Sequence, residues 1–207
     1  MTDVEPAAPS TSRTEAFSDA VIAIAITLLV LEIRVPAVGP HESLARALWD
    51  LWPKYATFAV SFLTIGVMWV NHHAMFERIG RIDRRLMFIN LVLLMTIAFV
   101  PFPTAVFGDY VDDPHNGHTA AALYGINMLF VGFGFLAMWM RLLHHPELRA
   151  PGFGDAEVRQ SLRRTLPGPI TYGVAIGVSF VSAPAALAMY AAVVVYFAVG
   201  QISRFAQ

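Results

Sequence analysis

Asp19 is the first residue that needs a chemical explanation. It stands at the edge of a strongly apolar run in "RTEAFSDAVIAIAITLLVLEIR", Arg13 to Arg34, with Ser18 beside it and Glu32 at the far end. An ionisable group inside a membrane span costs on the order of 3 kcal/mol at the centre and less near the edge, so it takes a partner. The sequence offers partners in "WVNHHAMF", where Trp69, Asn71, His72 and His73 close a second apolar run, and at Asn90 near the start of a third. Hydrogen bonding among Ser18, Asp19, Trp69, Asn71 and His72 would satisfy groups that are expensive to bury, and would tie the first helix to the second and third as a polar clamp. The same groups admit another chemistry, a proton relay through Asp19 and His72 in a proton-coupled secondary transporter.

Seven histidines also raise metal and haem ligation. His72/His73 and His144/His145 fall at helix ends on one side, a placement that bis-His ligation across two helices would need. The HxxxH and HxxHH spacings of membrane di-iron enzymes are absent, so no metal site and no cofactor is expected. His115 and His118 belong to an acidic loop that reads as solvated. The chain has no cysteine, which excludes disulfides, Cys-ligated zinc and iron–sulfur clusters.

The elements that position these groups are membrane helices. With 57% hydrophobic and 14% charged residues in a 207-residue chain, the composition is that of one integral membrane unit. A net charge of −1 gives no support to nucleic-acid binding. Asp3 and Glu5 stand where a signal peptide would be basic, so residues 1–12 are expected to form a disordered tail and residues 13–207 a single transmembrane domain. Six spans are expected, at about 16–33, 53–73, 86–107, 119–143, 166–182 and 184–202. Between the first two, "HESLARALWDLW" places Leu44, Leu48 and Leu51 on one face with Trp49 and Trp52 nearby, as a short interfacial helix does. Pro101 and Pro103 should end or kink the third span. The stretch from Pro146 to Arg164 reads as a solvated loop with a short helical end. Gly173 and Gly177 match the GxxxG pattern of tight helix packing.

Charge sets the orientation. Arg13, Arg78, Arg81, Arg84, Arg85, Arg141, Arg149, Arg159, Arg163, Arg164 and Arg204 fall on one side, against Arg34, Arg46 and Lys54 on the other. The poorer side also holds Asp109, Asp112 and Asp113. The positive-inside rule then puts both termini in the cytoplasm.

The first helix is short for its task. Its apolar run from Ala20 to Leu31 covers roughly 18 Å, against a hydrocarbon core of about 30 Å. On a helical wheel Phe17, Ile24, Leu28, Leu31 and Val35 form one aliphatic stripe, while Asp19 projects about 140° and Ser18 about 120° from Ile24 on opposite sides. Such a stripe suits packing against lipid or a neighbouring helix.

"RTEAFSDAVIAIAITLLVLEI", "WVNHHAMF" and "NLVLLMTIAFVPFPT" together closely resemble the prokaryotic branch of the transmembrane protein 175 family of potassium channels. The resemblance is dense from Arg13 to about Thr104 and carries few motifs beyond it. It implies six helices per subunit in a homotetramer, with the first helix of each subunit lining a central pore. It implies a hydrophobic constriction at Ile24, Leu28 and Leu31 acting as gate and sieve, with Thr27 linked to selectivity. The residues that match the network positioning the pore helix are Arg13, Ser18, Asp19, Trp69 and His72, and Phe17, Asn71 and Asn90 are taken with them. The implied function is a potassium-permeable cation channel of the prokaryotic cell membrane, not an enzyme, with modest preference for K+ over Na+. Its partners would be three further copies of itself, the bilayer and monovalent cations. The TVGYG filter of ordinary potassium channels is absent.

Overall fold

The computed structural model describes residues 11–205, with side-chain surroundings through Val199, and among these residues every regular secondary-structure element is helical. Helix α1 (Thr11–Leu28) tightens into a 3-10 turn at Leu29–Glu32. Then come α2 (Leu44–Trp49), α3 (Trp52–Phe76), α4 (Arg84–Ala98), α5 (Pro101–Tyr110) and α6 (Gly117–His144). A 3-10 turn at Pro146–Leu148 leads to α7 (Asp155–Thr165), α8 (Pro167–Ser179) and α9 (Ala183–Phe205). Most of the tail expected at residues 1–12 lies outside the described residues, and Thr11 and Ser12 already belong to α1. The side chain of Arg204 likewise lies outside them.

Among the described residues four helical segments are long and apolar enough to cross a membrane: Thr11–Glu32, Leu44–Phe76, Arg84–Tyr110 and Gly117–His144. The last two expected spans correspond to α8 and to Ala183–Val199 of α9, which are apolar but shorter. The third expected span is two helices. Pro101 lacks the N–H that would continue the ladder, and its ring crowds the carbonyl four residues back, so α4 ends at Ala98 and α5 starts afresh. At its other end α4 starts where Asp83 caps it, accepting from the Leu86 N–H at 2.8 Å. Helix α2 buries none of its residues; Leu44, Leu48 and Trp49 all stay exposed, as an interfacial helix requires.

Helix α6 is the pillar of the fold, packed against α4, α5, α7, α8 and α9, while α1 packs against α3 and α4. Tyr124 of α6, Tyr190 of α9, Tyr172 of α8 and Phe107 of α5 form an aromatic cluster with ring centroids 5.0 to 6.0 Å apart. Two of its hydroxyls are paired: Tyr190 donates to the Ala121 carbonyl at 2.9 Å, and Ser61 donates to Tyr124 at 3.1 Å. The close approaches are made by α6 and not by the GxxxG pair. A Cβ at Gly125 would meet the Tyr190 hydroxyl at 2.4 Å, and one at Gly132 would meet Pro169 at 2.6 Å. Gly173 and Gly177 have nothing within 4 Å of a built Cβ, so the tight packing expected of them is not made within the described residues.

The stretch from Pro146 to Arg164 is docked where a solvated loop was expected. Leu148 and Val158 are buried, and Ile79 and Arg149 form an isolated antiparallel bridge. The Arg149 guanidinium caps the end of α6, donating to the Leu142 and Leu143 carbonyls at 2.7 and 2.8 Å, and pairs with Asp155 at 2.6 Å. Arg141 of α6 pairs with Asp83, joining the start of α4 to the same end of the bundle. Burial pushes the Asp83 carboxyl up, but the Arg141 hydrogen bond and the Leu86 N–H outweigh it and leave the pKa below the ordinary 3.8.

Two outcomes are expected. Gly125→Ala should destabilise the protein by about 1–3 kcal/mol through overpacking, whereas Gly177→Ala should be neutral or slightly stabilising; thermal melting in detergent compares them. Because the folded pKa of Asp83 is lowered, its contribution is complete above the ordinary carboxylate value and fades as the pH falls through the lower folded one. Asp83→Asn should therefore melt below wild type at neutral pH, and the gap should close in acid.

Candidate functional site: the two faces of the first helix

Helix α1 divides by face. Ser18, Ile22, Ala25 and Leu29 recur at helical spacing and are at most 2% exposed, so this face is sealed against α3 and α4. On the other side Phe17, Ile24, Leu28 and Leu31 are 54%, 59%, 41% and 69% exposed. Thr27 shares the exposed side, but its hydroxyl turns back to the Ala23 and Ile24 carbonyls at 3.0 and 2.9 Å.

The sealed face is fixed by a buried chain of hydrogen bonds. Ser18 donates to the Thr14 carbonyl at 2.8 Å, so its oxygen is left to accept. Asn90 of α4 supplies the donor, its Nδ2 lying 2.9 Å from Ser18 Oγ. That choice fixes the amide, leaving Asn90 Oδ1 to face His72 Nε2 of α3 at 2.9 Å. The oxygen can only accept, so His72 carries its proton on Nε2. Its Nδ1 is buried and unbonded among the described residues, as fits the unprotonated nitrogen of that tautomer. The ring stacks on Phe76 with centroids 4.4 Å apart. Three helices thus meet in one hydrogen-bonded network, in which each lost partner would leave a buried group costing about 1–3 kcal/mol.

A second pair of bonds runs along the edge. Trp69 donates from Nε1 to Asp19 at 3.0 Å, and His73 meets Glu15 at 3.0 Å. Glu15 and His73 were not among the expected clamp residues, although each lies four residues from a member, Asp19 and Trp69 respectively, on the same helical face. Other expected members fall elsewhere. Asn71 lines a cleft on the far side of α3, Phe17 belongs to the exposed stripe, and Arg13 is exposed on the first turns of α1. Asp19 and His72 are bonded to different partners, so no direct hydrogen bond connects them as a relay. His144 bonds the Met140 carbonyl, His145 faces Glu147, and His118 bonds the Ser179 carbonyl. Among the described residues no three His, Cys, Asp or Glu side chains come together as a metal site would require.

Residues 13–101, which hold every residue of this clamp, match the family described as "Endosomal/lysosomal potassium channel TMEM175". A potassium channel of Streptomyces collinus is 43% identical over 190 residues, spanning 92% of each chain. This chain belongs to the TMEM175 family. A second relative, a potassium channel of Chamaesiphon minutus, is 40% identical over 195 residues, 93% of this chain and 96% of its own. The crystal structure of a lysosomal potassium-selective channel TMEM175 homolog from that organism superposes with a TM-score of 0.81 at 38% identity, covering 91% of this chain and 96% of the other. Members of the TMEM175 family are ion channels and not enzymes, and they use no cofactor. The family is one of channels and not of transporters. In this TMEM175 chain the well-matched half carries α1 with its clamp, and the more weakly patterned half supplies the pillar α6 and the helices around it.

Asn90→Leu should lower stability by about 1–3 kcal/mol, because it strands both Ser18 and His72 in the interior. Trp69→Phe removes a more exposed bond and should cost less than 1 kcal/mol, within the usual ~0.5–1.5 kcal/mol for one hydrogen bond. Paired melting curves decide between a buried network and a set of independent contacts.

Proposed function

We propose that this chain is a potassium-permeable cation channel of the prokaryotic cell membrane, built as a homotetramer with α1 of each copy lining a central pore. Six apolar segments would cross the bilayer, with both termini cytoplasmic. The observation that carries the reading is the split of α1: one face is sealed by packing and buried hydrogen bonds, while Ile24, Leu28 and Leu31 on the other stay largely exposed among the described residues. A single such helix cannot enclose a pore, but a closed ring of copies can bury the stripe around an axis.

In that ring Ile24, Leu28 and Leu31 form the constriction. Stacked aliphatic rings block ions by dewetting when narrow and pass them when widened or rotated. No ring of backbone carbonyls replaces the hydration shell, so preference for K+ over Na+ is modest. Thr27 tunes it from the same side, within the limit set by a hydroxyl already bonded to its own helix. Ser18, Asp19, Trp69, His72 and Asn90, joined by Glu15 and His73, hold the azimuth of α1 and do not touch the ions. The acidic outer loop attracts cations weakly. Asp109 is paired with Lys54 at 2.5 Å and Asp113 accepts from the His115 and Asn116 N–H groups, which leaves Asp112 as its least engaged carboxylate.

The test is flux in reconstituted liposomes with K+ or Na+ gradients. Ile24→Asn should raise K+ leak and reduce discrimination against Na+, since a polar ring stays wet. Equal flux and selectivity in wild type and variant would remove the gate from this position. Native mass measurement of the purified protein should give four copies, and a monomer that still conducts would end the ring.

A further inference from the structure

We propose that the cleft between α3, α6, α7 and α9 binds an anionic phospholipid, its phosphate held by Arg78 and Arg164 and its acyl chains lying along the apolar walls. The proposal rests on the chain spanning a bilayer and not on the pore assigned to α1. The cleft has a volume of about 690 Å³ and lies away from the α1 stripe, walled by α6 to α9 and by the side of α3 that carries Asn71. Its residues sort by depth. Val131 and Phe135 of α6, Tyr172 of α8 and Val195 of α9 form an apolar trough. Polar groups gather at the end where α3 and α6 finish, with Arg78, Ser161, Arg164 and Thr165 around the mouth.

That mouth is positive and unneutralised. Among the described residues neither Arg78 nor Arg164 forms an ion pair with a carboxylate, although Lys54, Arg141, Arg149 and Arg159 do. Arg78 is anchored without a counter-ion: it donates to the Ala74 carbonyl at 2.6 Å and lies over the Trp139 and Phe153 rings at 6.0 and 5.2 Å. Burial foremost, and the nearby Arg164 charge as well, disfavour its charged form, with Glu77 opposing them. Two like charges at the rim of an apolar trough are what a bound anion would relieve. Guanidinium groups take phosphate oxygens in bidentate geometry, and basic pockets between membrane helices suit anionic headgroups.

The occupant must match both ends. A small soluble anion would leave the trough unfilled, and a neutral apolar molecule would leave the guanidinium pair uncompensated. From Thr64 to Asn71 along α3, the trough wall runs for roughly 10 Å before the mouth begins, enough to seat several methylene groups. A phospholipid with a net negative headgroup meets both demands.

Native mass spectrometry of the full-length protein, delipidated and then given phosphatidylglycerol or phosphatidylcholine with the same acyl chains, tests this. Wild type should retain phosphatidylglycerol preferentially. Arg164→Gln, at an exposed position, should weaken that retention roughly fivefold, as expected for one cation beside an anionic headgroup, and leave phosphatidylcholine unchanged. Val195→Trp, which fills the trough, should weaken both lipids. Inorganic phosphate in excess should not displace the lipid; displacement would mean a phosphate site and overturn the proposal. Equal retention of the two lipids by wild type, or unchanged preference in both Arg164→Gln and Arg78→Gln, would overturn it too. Retention needs no ion conduction, so a failed flux assay leaves this result intact.

Discussion

A polar group in an apolar interior must find its partner inside the protein, and most of this architecture follows from that demand at Ser18. Its oxygen accepts from Asn90, and Asn90 in turn engages His72, so α1, α3 and α4 hold one mutual orientation. Apolar packing alone would let a helix of Ile, Ala and Leu rotate with little penalty, because each small turn exchanges one aliphatic contact for another. The hydrogen bonds have no such freedom. They decide which stripe of α1 is sealed, and by geometry which stripe faces away.

The two ends of the bundle are built differently. At the end where α3 and α6 finish, side chains and backbone stitch neighbouring turns together: Arg149 on the α6 carbonyls, Arg141 on Asp83, and the Ile79–Arg149 bridge. A Cβ on Gly80 would meet the Arg149 carbonyl at 2.6 Å, so that junction has room only for glycine. At the other end α1 gives way to its 3-10 turn, α4 breaks before Pro101, and α2 lies exposed. The stitched end anchors α1 where the clamp sits. The looser end is where the exposed stripe finishes.

Much of this was legible in the sequence because hydropathy and polar spacing are local signals. The helical wheel separates Ser18 from Ile24 without any knowledge of neighbours, and Pro101 announces the break in the third apolar segment. Long-range pairing was less legible. Asn71 and His72 are consecutive, yet one turns to the cleft and the other to the clamp, a division that depends on where α6 and α9 stand. The glycines misled for a related reason: a GxxxG spacing reports a smooth helix surface, but not whether anything packs on it. Gly125 and Gly132 lie outside that motif, and there a neighbour does occupy the space. Arg149 likewise reads as a loop cation, and only the fold brings it to the bare carbonyls of α6.

The 3-10 turn that ends the first helix has a geometric consequence. Leu28 closes the α-helical part and Leu31 lies within the tighter turn. Three residues make one full revolution in 3-10 winding, so these leucines stand nearly above one another; in α winding the same step would leave them about 60° apart. Rewinding a single turn would swing Leu31 sideways and shorten the helix by roughly 1.5 Å, with Ser18 and its partners undisturbed. The far tip of this helix is thus a dial that can be reset without loosening its mounting.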